Sequence, residues 1–536
     1  MGTGLRSKRL LTALLIGGVC LAGAGAVGCR TTESDVHRWG ETQNGPKRLE
    51  AVITYGKYSD QLRTEAAMTL VRMRPRNGKR VGLEGGDDPE QRGLLAVLSS
   101  LDKDERVRIV TLMLPSIETG MKLPPADRVT RRADESYPYK DAAHALLTHD
   151  KGSLVTNEEV RRRLESAISD WVAVDFAGRM DEPSQIYSMD QVLRYLGSRG
   201  VKRLPELIVP GATKLDRIAE FVSELADAST KLQASENLVA VANHVTSAKW
   251  LAERAPIVQK ANQESKLNPT EKQFKEQLES YQDEELIRLL STMKKIGGRP
   301  VVNYLLAFAS TATNSDKRRI AAVAALEGNI DRSDPKQVET LFALAGAESM
   351  PDGVRDLVIR RVSELPKKLV ISRLYGLFAS DNWRIRFGPA DLALRMSDAS
   401  EVPEFMAKLA VVKTMAMAEP LTYGSTLNEV KGVDPPRAMA SRYIGLENSI
   451  PARLTALSWY FRFGTASDLE RLKGFQDDKG KVPPCGKDAK DCEWKCDVRI
   501  AEQKTESKDI TTVGEFVRHC VIPEIERRAP VGDGKK

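Results

Sequence analysis

Four cysteines fall close together late in the chain: Cys485, Cys492, Cys496 and Cys520, spaced Cys-x6-Cys-x3-Cys-x23-Cys. Thiols in such a set do one of two things. In an oxidising compartment they pair, and an even number confined to one segment reads as two disulfides, with three possible connectivities that spacing cannot choose among. As thiolates they could instead hold a zinc ion, with His519 beside Cys520 as an extra donor. Structural zinc sites use paired short knuckles, which this spacing lacks. Disulfides are therefore the expectation, and no metal is assigned.

Other chemistry is harder to find. The histidines are His37, His144, His149, His244 and His519. His144 and His149 are five apart, which puts them on different faces of a helix and rules out a zincin pair. No H-E-x-x-H, G-x-S-x-G or G-x-x-x-x-G-K-[ST] occurs. Each histidine is read as a surface or interface residue. The 74 acidic side chains mark no pair for glycan hydrolysis, so no catalytic residue and no cofactor are expected. Gly23-Ala24-Gly25-Ala26-Val27-Gly28 has the letters of a dinucleotide fingerprint. That motif works only between a strand and a helix, and the polar run Thr31 to Asp35 offers no apolar stripe for one. Arg6, Lys8 and Arg9, followed by an apolar run from Leu10, describe a secretory signal instead.

Ala26-Val27-Gly28-Cys29 resembles a bacterial lipobox, with Ala26 where Leu is usual. The resemblance implies that Cys29 receives a diacylglycerol and becomes the N-terminus. Ordinary cleavage after Ala24-Gly25-Ala26, or an uncleaved apolar anchor, remain open. Each buried CH₂ adds about 0.8 kcal/mol, so two or three acyl chains hold a protein on a bilayer where one binds marginally. Arg30 stands where some sorting patterns have Asp, and that similarity implies the outer membrane, facing the periplasm or the surface.

The elements that must carry these residues are helices. Of 536 residues 29% are charged and only 6% aromatic, and no second long apolar run follows Val27. The net charge of +7 falls by three to +4 once the leader's basic residues leave. Such near-neutrality implies neither a nucleic-acid nor an anionic-lipid partner, and Arg131-Arg132 and Arg161-Arg162-Arg163 read as solvated helix faces. Apolar spacings of three and four recur between short Gly, Pro, Asp and Ser breaks, and strand-like alternation is scarce.

One pattern repeats. Asp60 and Arg63, Asp352 and Arg355, and Asp381 and Arg384 frame an Asp-x-apolar-Arg stretch; Asp316 and Arg319 keep its ends, and Asp104 and Arg108 keep them with one residue added. Each Asp suits an N-cap, and apolar stripes follow: Leu62, Ala66 and Leu70; Val354, Val358 and Val362; Trp383, Phe387 and Leu394. The Arg can reach a neighbouring unit's Asp or helix end. At these residues the chain resembles HEAT-repeat proteins, which implies an all-α fold, an α-solenoid of antiparallel helix pairs.

The expected organisation is a signal peptide over 1–28, a polar tether over 29–45, HEAT-like repeats over 46–118, an irregular helical region with long helices over 119–284, further repeats over 285–475, and a Cys-rich cap and tail over 476–536. Pro124-Pro125 and Tyr137-Pro138-Tyr139 are expected to interrupt the repeats. Thr511 to Ile522 fits one amphipathic helix, ended by Pro523, that would cover the last helix pair under the disulfides. Trp383, Phe387, Trp459, Tyr460, Phe461 and Phe463 read as core, with a groove anchor as the sharper alternative. The functional expectation is a non-enzymatic, lipid-anchored envelope scaffold that binds a protein partner and no nucleic acid. Two alternatives are an envelope hydrolase acting on glycan or peptide and a spacer whose Cys-rich end makes the contact.

Overall fold

The computed structural model describes residues 31–76, 78–86, 90–127, 129–182, 186–486, 492–501 and 504–528. Cys29 and the expected signal lie outside them. Helices take up 68% of the chain, so the fold is mostly α, and among the described residues strands are confined to one hairpin. No described helix is long and apolar enough to cross a membrane. The chain divides into two compact units, Met1–Arg203 and Leu204–Lys536.

In the first unit the helix Asp60–Arg72 is the hub. It lies against the helices Glu33–Gly40, Gly45–Thr54, Lys103–Met121 and Tyr137–Thr148. Small side chains make this crowding possible: Ala66 and Ala67 are fully buried, with Leu70 and Val71 beside them. Two expectations are corrected here. Residues 33–40, within the segment read as a polar tether, form a helix despite their polarity. A capping box between Thr32 and Asp35 satisfies the first-turn amides, and Val36 is fully buried. Tyr137-Pro138-Tyr139 does not interrupt structure but opens the helix Tyr137–Thr148. Proline in the first turn costs nothing, because the amide it lacks would have had no intrahelical partner.

In the second unit several helices pack against a sequence neighbour and against the helix two places along. Asp316–Ala325 contacts Glu271–Ile296, Arg299–Ser310 and Asp352–Val362; Asp352–Val362 contacts Pro335–Gly346 and Trp383–Arg395. The helices Ala228–Val245, Ala248–Glu264 and Glu271–Ile296 are long, at 18, 17 and 26 residues, and the first half of the last is largely exposed up to Gln282. The helix Ile450–Phe463 is buried along Pro451 to Tyr460, including the polar Arg453, Thr455 and Ser458. Against it the helix Ala418–Leu427 comes so close that a Cβ on Gly424 would sit 2.6 Å from the Trp459 nitrogen, and only glycine fits there.

The last segment departs from the single expected helix. After Gln476 comes an antiparallel hairpin, β1 Lys495–Ala501 and β2 Lys504–Asp509. Its strands were missed because only Cys496 to Ile500 alternates in polarity, too short a run to outweigh the helical pattern around it. The following helical stretch runs over Val513–Phe516, a π turn Val517–Val521 and Ile522–Arg528. Pro523 does not end it. The wide π turn just before the proline takes up the ring and the missing amide. Cys485 pairs with Cys492 and Cys496 with Cys520.

Candidate functional site

The structure moves the repeated Asp and Arg into a different register. Asp60, Asp316 and Asp352 lie one residue inside their helices, and the caps are Ser59, Ser315 and Pro351. Ser59 and Ser315 accept from the amides of Leu62 and Arg318. Asp102 caps in place of Asp104, and Asn382 in place of Asp381. The constant feature is a basic residue four places after the cap: Arg63, Arg106, Arg319, Arg355, Arg386 and Arg453. Arg108 is exposed, and Arg384 is displaced by two residues from the buried Arg386.

In three of the six this fourth-position arginine closes the end of the preceding helix. Arg63 Nε donates to the Ile53 carbonyl at 2.7 Å, Arg319 Nε to Ala309 at 2.9 Å and Arg355 Nε to Ala345 at 3.3 Å, each ten residues back. Those carbonyls belong to the last turn, where intrahelical donors run out, and a cation at that end also suits the helix dipole. Burial lowers the affinity of the Arg355 guanidinium for its proton. The acidic partners are both local and distant. Arg63 reaches Asp60 at 3.5 Å and Glu105 at 3.2 Å, Arg108 reaches Asp60 at 3.3 Å, and Arg384 pairs with Asp352.

Polar links in the second unit recur at a near-constant sequence separation. Lys294 to Glu327 spans 33 residues, Asn303 to Gln337 34, Asp283 to Arg318 35, Arg395 to Glu429 34 and Arg437 to Asp468 31. Exposed pairs of this kind contribute little energy each, so their regularity matters more than their strength.

A cluster of buried charged groups in the first unit was missed by sequence reasoning. Asp134 and Arg179, both about 1% exposed at the side chain, pair at 2.9 Å. Trp171 donates to Ser136 at 2.7 Å beneath the Arg179 guanidinium, which lies 4.1 Å from the indole. Next to them Lys140 pairs with Asp141 at 2.6 Å, and Arg80 pairs with the same carboxylate at 2.7 Å. Burial pulls the Lys140 ammonium below its ordinary pKa. His144 was read as a surface or interface residue, but it is buried between Tyr187 and Tyr195, with ring centroids 5.0 and 5.4 Å away. Its Nδ1 has no partner, and burial with the nearby Lys140 charge pushes its pKa down to about 4. Lys140 is fully covered and Asp141 1% exposed. The cluster has the residues of an active site and the enclosure of a core, and no substrate can reach it.

At the other end, Arg386 and Glu419 form a bidentate pair at 2.8 Å with both side chains fully buried. Burial raises the Glu419 carboxyl. The Cys-rich segment lies on the same loop: Met415 donates to the Pro484 carbonyl at 3.1 Å and Trp494 Nε1 to the Met415 carbonyl at 2.9 Å. Arg528 donates to the carbonyls of Phe461 and Arg462 and so closes the end of the helix Ile450–Phe463. Trp459 and Tyr460 are core residues, while Trp383 and Phe387 are half-buried and meet edge to face at 6.0 Å.

The remaining histidines are accounted for locally. His37 meets Glu65 at 2.7 Å, His149 meets Ser99 at 3.2 Å and His244 meets Glu253 at 3.1 Å, while His519 has its pKa lowered chiefly by burial. Among the described residues no group of three or more His, Cys, Asp or Glu side chains is placed to hold a metal ion.

These features define a mostly helical protein with a disulfide-closed C-terminal segment. No family model and no curated protein matches the chain. Among solved structures it overlaps the crystal structure of an engineered protein at 12% identity, covering 80% of this chain and 93% of that one, with a TM-score of 0.21. That overlap is too slight to bear on fold or function.

Proposed function

We propose that this protein is a lipid-anchored scaffold of the bacterial cell envelope, a HEAT-like α-solenoid that offers a helical-repeat surface to a protein partner and carries out no catalysis. The observation that carries this reading is the recurrence of polar links at 31 to 35 residues across the second unit, together with contacts between helices two places apart, as from Glu271–Ile296 to Asp316–Ala325, Asp352–Val362 and Trp383–Arg395 in turn. A stack of like helix pairs produces that regularity, because one pair cannot cover its own apolar face and must dock on the next. The disulfide-fastened residues 476–528 then act as the end cap, since they cover the helix Ile450–Phe463. Acyl chains on Cys29 supply the anchor and the outer membrane the location.

Mass spectrometry of the mature N-terminus tests the anchor: an acylated Cys29 in the membrane fraction is the expected result. A cytosolic chain with its leader intact and its cysteines reduced overturns it. Crosslinking in intact envelopes tests the scaffold, with a stoichiometric protein partner expected. If deleting residues 476–536 abolishes that crosslink without lowering thermal stability, the Cys-rich end is the contact and the solenoid a spacer.

A further inference from the structure

The segment from Arg72 to Arg80 carries five basic residues, Arg72, Arg74, Arg76, Lys79 and Arg80, and no acidic one. The near-neutral total hides this, because acids elsewhere balance it. The segment is held firmly in place. Met73, which closes the helix Asp60–Arg72, is 3% exposed and pins one end. Arg80 pins the other through its buried pair with Asp141. Between them Arg76 and Lys79 exchange backbone hydrogen bonds of 3.0 and 2.9 Å around a turn in which Gly78 has φ +76°.

Arg72 ends the helix, and Arg74 and Arg76 follow at alternate positions beyond it. All three line a cleft of about 640 Å³ whose opposite wall includes His37, Gly40 and Glu41. Glu65 already holds Arg72 and meets His37 at 2.7 Å. Arg74 and Arg76 are exposed, and neither side chain has a partner among the described residues. One acidic residue of the lining, Glu41, faces two uncommitted guanidiniums.

We infer that this cleft binds the phosphate of an anionic phospholipid headgroup. Guanidinium forks suit phosphate oxygens, which they can grip bidentately. The lipid source follows from position and rests on the anchor reading. The cleft wall belongs to the first helix among the described residues, Glu33–Gly40, and the Thr31 hydroxyl is fixed to Tyr58 at 2.9 Å. Residue 31 lies within about 7 Å of an acylated Cys29, Glu33 within about 7 Å more, and Gly40 roughly 10 Å farther along the helix from Glu33. On the anchor reading the cleft is therefore tethered within about 25 Å of the acyl chains, in reach of lipid headgroups.

The test uses the full chain in neutral detergent. It is titrated with dihexanoyl phosphatidylglycerol, dihexanoyl phosphatidylcholine or inorganic phosphate, while hydrogen exchange is followed over residues 72–80. Phosphatidylglycerol is expected to slow exchange there, and phosphatidylcholine, with no net charge, to leave it unchanged. Arg74→Gln and Arg76→Gln should each weaken the effect about fivefold without changing the thermal midpoint, since neither side chain supports the fold. Equal protection by both lipids, or full protection of the double variant, overturns the site. Protection by inorganic phosphate with none by phosphatidylglycerol overturns the lipid assignment. The N-terminal mass, read on the same sample, tests the anchor separately: an unmodified Cys29 removes the anchor and leaves the phosphate result standing.

Discussion

Arg319 and Arg108 were equivalent by motif, yet they occupy opposite environments. Arg319 is 4% exposed and donates to a helix-end carbonyl, while Arg108 is solvated and meets Asp60 at 3.3 Å. Arg319→Ala is expected to lower unfolding free energy by about 1–3 kcal/mol, because it orphans a buried acceptor. Arg108→Ala should stay within about 0.5 kcal/mol. Equal losses in urea titrations would show that the fourth-position register has no energetic meaning. His144 gives a pH signature. Its folded-state pKa is depressed from 6.5 to about 4, so the unfolded chain takes up the proton first as pH falls. Its contribution is present above pH 6.5 and lost as pH drops toward about 4, to a limit of about 3 kcal/mol. His144→Phe should flatten the stability profile between those values, and an unchanged slope would rule out this residue as its source.

At the scale of elements, the C-terminal segment owes its placement to its cross-links and to Met415, Trp494 and Arg528. The bridge between Cys496 and Cys520 spans 24 residues and joins β1 to the last helical stretch, whereas Cys485 and Cys492 are only 7 apart. Opening the longer loop releases more chain entropy. Replacing Cys496 and Cys520 by Ser should cost about 3 kcal/mol and the shorter pair somewhat less, as read from melting of the oxidised and substituted proteins. The reverse order would point to strain or residual structure rather than loop closure. The hairpin itself was invisible in advance because its alternation covers only a few residues, and pairing across a turn is fixed by the partner strand.

For the second unit as a whole, stacked helices should communicate only with their neighbours. Glu419→Ala leaves the buried Arg386 uncompensated, a change worth about 3–5 kcal/mol. Hydrogen exchange should then quicken in the helices Trp383–Arg395 and Ile450–Phe463 and around Pro484, while Leu215–Leu225 keeps its protection. Uniform loss of protection through the unit would argue against a repeat stack.

The sequence by itself determined the helical character, since periodic burial of Ala66, Leu70, Val354, Val358 and Val362 is a local property of spacing. Number, clustering and a spacing without zinc knuckles also made pairing of the four late cysteines the expectation, and they do pair. Only the tertiary structure decided the register of the arginines, the partners of the cysteines, the enclosure of Lys140 and His144, and the meeting of Arg74 and Arg76 with the first helix. Each of those depends on what covers a side chain, and the covering groups lie tens of residues away. Local free energies choose the element, but the cost of leaving a charge uncovered or unpaired is set by distant chain.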